Sequence, residues 1–397
     1  MREKNKGRKI YKTKEKNYYQ KSVPSKIFSA GLTILFLGGV VFLGYSAADP
    51  IINYTKKKGD SDITAQSSDI SEYNSENSSE IEVGIINNPN VTASEFHCVS
   101  LNEDDLKTQL ALETGINRIT SNTDAEYIMV PLKTAGGNIH YNTINNKAQL
   151  AGAVKANLNL NDICNSIRTA GYKPVAYISV LNDNIYPQTY PESSYKTVDD
   201  GSRWIDNSVE NGGKPWISPY TDECKMYISG IVNEISDAGF ESIVCSDLIF
   251  PEFRQGDLEL LDASLTDSER YLVLTSLMNT IYSDAMAKEC SAILEVSAAD
   301  IAEGKAEVLQ PMVLQISTLI VNINIDELAT GIDVNGMPYD FNGSPDENAK
   351  KMLGLISDKL DGFNVVIRVS GNNIENTDEV KIKEAINEYG FKSYLIG

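Results

Sequence analysis

Histidine is nearly absent from this chain: His97 and His140 are the whole complement among 397 residues. Catalytic and structural zinc sites draw on clustered histidine and cysteine, so two separated histidines argue against a multi-histidine zinc centre. The five cysteines, at 98, 164, 224, 245 and 290, are scattered, odd in number and form no Cys-x-x-Cys pair. Even in an exported protein such a set is not a disulfide framework. Cys98 and Cys245 sit in apolar runs and read as buried thiols. No cofactor motif occurs, no glycine-rich phosphate loop follows an early strand, and no acidic run has the spacing of a calcium hand. A metal held by carboxylates alone stays open. Basic charge is scarce as well: 35 Lys and Arg face 55 Asp and Glu, a net of −20. That surface repels phosphate backbones and argues against a nucleic-acid partner.

What basic charge there is concentrates at the start. Residues 1–26 hold ten Lys or Arg and two Glu, a net of +8, and the stretch Ile27–Ala48 then has no charged residue. About 20 apolar residues in a helix cross a hydrocarbon core, so 27–48 is long enough for a transmembrane helix. Basic flanks stay cytoplasmic, which sends the C-terminal part outward. The rival reading is a signal peptide cleaved after Ser46-Ala47-Ala48, although the apolar run exceeds the usual length of such a segment. Both readings export the C-terminal part of the chain. Residues 49–92 read as a flexible linker. From 56 onward they are rich in Ser, Asn, Asp and Glu, and about 37 coil-like residues give a root-mean-square reach of about 35 Å.

From 93 to 397 a unit recurs, in which a helix-like segment stops at a glycine and an apolar run comes next. Gly115, Gly171, Gly239, Gly362 and Gly390 occupy that place, where a left-handed helix-ending residue is wanted. The runs Val175–Val180, Ser242–Cys245, Ala292–Val296, Leu319–Val321, Val365–Val369 and Ser393–Ile396 read as continuous apolar runs more than as alternating ones, as strands buried on both faces do. Between them, Ile228, Ile231, Val232 and Ile235 mark one helix face. Thr266 with Glu269, and Ser344 with Glu347 behind Pro345, match capping boxes. Asn376 opens a further helix that runs to Gly390. Strand and helix alternating over about 300 residues predict an α/β fold, a (β/α)8 TIM barrel, with an open doubly wound sheet as the alternative.

In such a barrel, function gathers at the C-terminal ends of the strands. Asp247 and Glu295 are the best-placed carboxylates for a catalytic pair: in glycosidic hydrolysis one protonates the leaving oxygen, and the other attacks or activates water. The competing reading makes them solvated loop acids or helix caps. Tyr177, Asp183, Lys133, Ser246 and Asn322 lie in or just past predicted strands and are candidate substrate contacts. The loop of about 181–220 is long, which often marks function. It carries both tryptophans of the chain, Trp204 and Trp216, whose flat faces suit stacking on sugar rings. Packing of the loop onto the barrel is the alternative role for these rings.

These residues resemble a known family. Ser202–Phe253 contains Ser-Arg-Trp-Ile-Asp-Asn, then Gly-Gly-Lys-Pro-Trp-Ile-Ser-Pro-Tyr, and ends Ala-Gly-Phe-Glu-Ser-Ile-Val-Cys-Ser-Asp-Leu-Ile-Phe-Pro-Glu-Phe. The stretch is similar to the putative glycosyl hydrolase domain family of bacterial surface proteins, in which a Trp and a Pro precede the fourth barrel helix and a strand ends F-D-Y-[IV]-R-F-P. Tyr127–Tyr141 resembles its second strand, V-I-D-V-K-D. The resemblance implies a (β/α)8 barrel acting on cell-wall or extracellular polysaccharide. The departures are specific. The family's strand-4 aspartate falls on Ser246 and its arginine on Ile249, which leaves Asp247 one residue late and facing the other side of the strand unless a bulge re-aims it. The strand-5 aspartate falls near Glu295. P-M-x-Y falls on Val321–Asn324 and W-L-Q on Ile367–Val369, without their aromatics. A barrel that binds glycan, or scaffolds envelope proteins, without cleaving is therefore the alternative function.

Overall fold

The computed structural model describes residues 95–120, 125–309, 313–360, 363–372, 374 and 376–396. The expected tail 1–26, membrane helix 27–48 and linker 49–92 lie outside these. Among the described residues no helix is long and apolar enough to cross a membrane.

Eight parallel strands alternate with helices. The strands are β1 (His97–Ser100), β2 (Tyr127–Thr134), β3 (Lys173–Ser179), β4 (Ser242–Ser246), β5 (Ser291–Ser297), β6 (Thr318–Asn324), β7 (Asn364–Ser370) and β8 (Ser393–Ile396). Each pairs with its sequence neighbours, and β1 pairs with both β2 and β8, so the sheet closes. The connecting helices are α1 (Gln109–Thr120), α2 (Leu160–Thr169), α3 (Asp222–Asp237), α4 (Tyr271–Met286), α5 (Ala298–Glu303), α6 (Pro345–Ile356) and α7 (Asn376–Glu388). This is the expected TIM barrel. A small hairpin, Ile332–Val334 with Met337–Tyr339, interrupts the β6–α6 connection and turns on left-handed Asn335 and Gly336.

The strands look apolar throughout because each is buried on two sides. Outward residues such as Ile243 and Cys245 of β4 join the Ile228–Ile235 face of α3 in the large core between barrel and helices. Inward, every strand gives one residue to a second core: Cys98, Met129, Val175, Val244, Ile293, Ile320, Val366 and Leu395. Side chains alternate along a strand, so the next inward position, two residues further on, sits at the C-terminal mouth.

Gly171, Gly239 and Gly390 have positive φ where α2, α3 and α7 end. The capping box of α6 forms, with Glu347 reaching back to the Ser344 amide at 3.0 Å. Two expectations are corrected. Gly115 ends no helix but lies inside α1, where a Cβ would stand 2.5 Å from the Asp105 carboxyl carbon. It is needed for that close approach. Thr266 and Glu269 cap nothing: Thr266 closes a short 3-10 turn, α4 begins at Tyr271, and Asp267 takes the Glu269 amide at 3.0 Å.

Ile231 has no exposed surface, whereas Val380 on α7 is 60% exposed. Ile231→Ala is expected to cost about 2–5 kcal/mol and Val380→Ala within about 0.5 kcal/mol of nothing. Urea unfolding midpoints of the two variants measure the contrast.

Candidate active site

Above the apolar ring the inward positions turn polar. Tyr177 of β3, Ser246 of β4, Glu295 of β5, Asn322 of β6 and Arg368 of β7 each lie two residues beyond a ring residue, which brings four of the expected site residues together with one that was not expected. Arg368 places Nη1 3.0 Å from Oε1 and 2.9 Å from Oε2 of Glu295. Its guanidinium carbon lies 5.4 Å from the centre of the Tyr177 ring. Asn322 is tied to β7 as well, its Oδ1 accepting from Ser370 Oγ at 2.9 Å. Burial pushes the Glu295 carboxyl above its ordinary range, more strongly than the attraction of Arg368 pulls it down, and the nearby charge of Asp247 adds to the rise. The Tyr177 hydroxyl is pushed up to about 12 by burial, then by Glu295 and Asp247. Arg368 escaped the sequence reading because its segment was compared with a motif of Trp and Gln. The available signal was a lone charge in the middle of the apolar strand Val-Val-Ile-Arg-Val-Ser.

Asp247, one residue past β4, would face away from the mouth if the strand continued. It does not continue: Asp247 has φ +51°, in the left-handed region. The carboxylate turns to β3, where Oδ2 accepts from Ser179 Oγ at 2.5 Å. Ser179 is in the inward row of β3, two beyond Tyr177. The re-aiming comes from one residue's backbone rather than from a bulge in β4.

Lys133 and Asp183 are placed differently from the expectation that they touch substrate. The β2–β3 register slips between Pro131 and Lys133. Lys133 Nζ then lies 2.6 Å from the Ser179 carbonyl and 3.1 Å from Asp183 Oδ2, and neither side chain has any exposed surface. Asp183 also accepts from the amides of Ile185 (3.0 Å) and Tyr186 (2.9 Å) and from the Tyr227 hydroxyl (3.2 Å). At Gly137, φ +95°, a Cβ would stand 2.2 Å from Asp183 Oδ1. This sealed pair anchors the ends of β2 and β3 and so positions Ser179, the residue that holds Asp247.

The aromatic loop is corrected in the same direction. Trp204 is buried, 5.0 Å from the Phe253 ring and 6.0 Å from Tyr195, and shares a small core with Leu261 and Leu265. Half-buried Trp216 packs against the same core and donates Nε1–H to Asp206 Oδ2 at 3.0 Å. Tyr186 stacks on Tyr227 at 3.8 Å. These rings pin the β3–α3 loop to the β4–α4 loop, leaving Trp204 no face for a sugar.

A cavity of about 1210 Å³ reaches Tyr177 and Arg368 and extends along Ser100, Asn102, Thr134 and Asn138. Among the described residues no group of three or more His, Cys, Asp or Glu is arranged to hold a metal ion. All five cysteines are buried free thiols.

A family model described as "Putative glycosyl hydrolase domain" matches residues 101–307, just over half of the chain. The chain belongs to this family. The matched stretch contains Asp247 and Glu295 and stops before β6 and β7. No curated protein matches the chain. Among solved structures, the PgaB (BpsB) glycoside hydrolase domain from Bordetella bronchiseptica is similar over 77% of this chain and 94% of its own, at 11% identity and TM-score 0.54, a likeness of fold. A hypothetical protein from Ruminiclostridium thermocellum is 18% identical, with TM-score 0.41, over 49% of this chain and 96% of its own.

Two outcomes are expected from the geometry. Lys133→Met leaves Asp183 charged and sealed, and is expected to cost about 3–5 kcal/mol, much of it recovered in Lys133→Met/Asp183→Asn. At the left-handed position 247, Asp247→Gly should be more stable than Asp247→Ala by about 1 kcal/mol, since both lose the Ser179 bond and only glycine is free of the backbone strain. Denaturant titration reads both comparisons.

Proposed function

We propose that this chain is a membrane-anchored glycoside hydrolase that cuts cell-wall or extracellular polysaccharide with the carboxyl groups of Asp247 and Glu295. The observation that carries the reading is the left-handed turn at Asp247. That turn sets its carboxylate on the inward Ser179, which supports a role at the mouth for a group that the shift away from position 246 would otherwise have removed. Two carboxyl groups at one mouth provide what glycosidic cleavage requires, a proton for the departing oxygen and a base or nucleophile at the anomeric carbon. Tyr177, Ser246 and Asn322 would contact the sugar from the surrounding strand ends. An anchor at 27–48 with a cytoplasmic N-terminus would hold the domain outside the cell. A linker at 49–92 would keep it near its own membrane, where wall and envelope glycans are the available polymers.

A second reading, a barrel that binds glycan or scaffolds envelope proteins without cutting, is favoured by a different observation. Both Glu295 oxygens already accept from Arg368 in a buried pair. The full chain in detergent, incubated with a panel of wall and extracellular polysaccharides and assayed for new reducing ends, decides between them. Hydrolysis is expected to fall by about 10²–10⁴-fold in Asp247→Asn and in Glu295→Gln, with circular dichroism checking that each remains folded. Undiminished hydrolysis in both folded variants would sink the site assignment, and binding without hydrolysis would carry the second reading.

A further inference from the structure

The polar layer contains a cation that the two-carboxylate reading does not use. We propose that Arg368 is the positioning residue of the site: from β7 it holds both oxygens of the Glu295 carboxylate, fixing its orientation and favouring its charged form against the burial that opposes it. The purpose of this arrangement rests on the hydrolase reading; the electrostatics do not.

The geometry is specific. One guanidinium nitrogen sits between both carboxylate oxygens, at 3.0 and 2.9 Å, with side-chain exposures of 15% for Arg368 and 5% for Glu295. A buried carboxylate without a partner would take up a proton, because water no longer stabilises its charge. The groups facing Glu295 are Arg368 from β7, Asp247 after β4, and Tyr177 from β3 beside the guanidinium. Of these only Arg368 favours the anion, while Asp247 opposes it. Asp247 itself is held by a neutral hydroxyl, Ser179. The two carboxyl groups are thus in unlike environments, one beside a cation and one beside an alcohol.

The test reads the charge of Glu295 and needs no substrate. Infrared difference titration of the full chain in detergent follows the carboxylic-acid C=O band, which is assigned to Glu295 by its loss in Glu295→Gln. In Arg368→Met and Arg368→Gln the band is expected to titrate about one to three pH units higher than in the wild type, with Arg368→Lys restoring part of the shift. The doubly substituted Arg368→Met/Glu295→Gln should lack the band. If the fold fails in Arg368→Met, judged by circular dichroism, Arg368→Gln carries the comparison, because its amide can still donate to Glu295. An unchanged midpoint in either folded variant overturns the proposal. A shifted midpoint in a protein that cleaves no polysaccharide upholds the role of Arg368 and counts against the hydrolase reading, so the two failures are distinguishable.

Discussion

One ring of apolar side chains, a single residue from each of eight strands, plugs the barrel from within. A closed barrel of this size is filled by its own side chains rather than hollow, so the ring keeps water from passing through. Groups on the next level up are therefore cut off from below and reach solvent only from the mouth. Glu295 shows the consequence: it sits one strand step above Ile293, and burial is the largest influence on its carboxyl. The ring also fixes which residues can belong to the site. With alternation set by Val175, Val244, Ile293, Ile320 and Val366, the positions 177, 246, 295, 322 and 368 must point inward, and no loop movement is needed to assemble them.

A second, outer level of organisation holds the edge of the site in place. Lys133 is displaced from the inward row by a register slip, and becomes the sealed partner of Asp183 and of the Ser179 carbonyl. Ser179 in turn holds Asp247. The chain from Asp183 through Lys133 to Asp247 runs from a fully buried ion pair to a half-buried carboxylate in three contacts. Truncating one partner of a buried ion pair is far more costly than the pair is stabilising, so such a network resists change at its root while its outermost group stays open to solvent. The aromatic loop works in the same way. Trp204, Tyr195 and Phe253 make a local core that fastens two loops beside the mouth, and their contribution is to geometry.

What was legible in the sequence is what short-range chemistry determines. Gly171, Gly239 and Gly390 announced helix ends because a positive φ is a local demand, and the Ile228–Ile235 stripe announced a packed face because its period is local. Glu295, Tyr177, Ser246 and Asn322 were found because each lies near the end of an apolar run. The misses required information from elsewhere in the chain. Gly115 looked like a helix stop, but its role depends on Asp105, ten residues earlier. Lys133 looked like a residue of the mouth, and one slip of register removed it. Trp204 looked like a sugar platform, until the β4–α4 loop covered it. Arg368 was visible as a charge within an apolar strand, but its partner lies 73 residues away.

Asp247 brings these levels together. A left-handed backbone costs a non-glycine residue of the order of 1 kcal/mol, and glycine would adopt φ +51° without that cost. Aspartate is among the side chains that tolerate the region best, yet tolerance alone would favour glycine or asparagine as well. What aspartate adds is a negative charge, and the structure sets that charge on the inward Ser179, close enough to raise Glu295 and Tyr177. Two like charges brought together in a half-buried mouth raise the free energy of the folded chain, and the backbone strain raises it further. Among the described residues no cation at Asp247 offsets either cost, since the guanidinium of Arg368 lies against Glu295. A strained backbone at a polar residue, at the end of a barrel strand, is where binding or catalysis is the more economical explanation than stability.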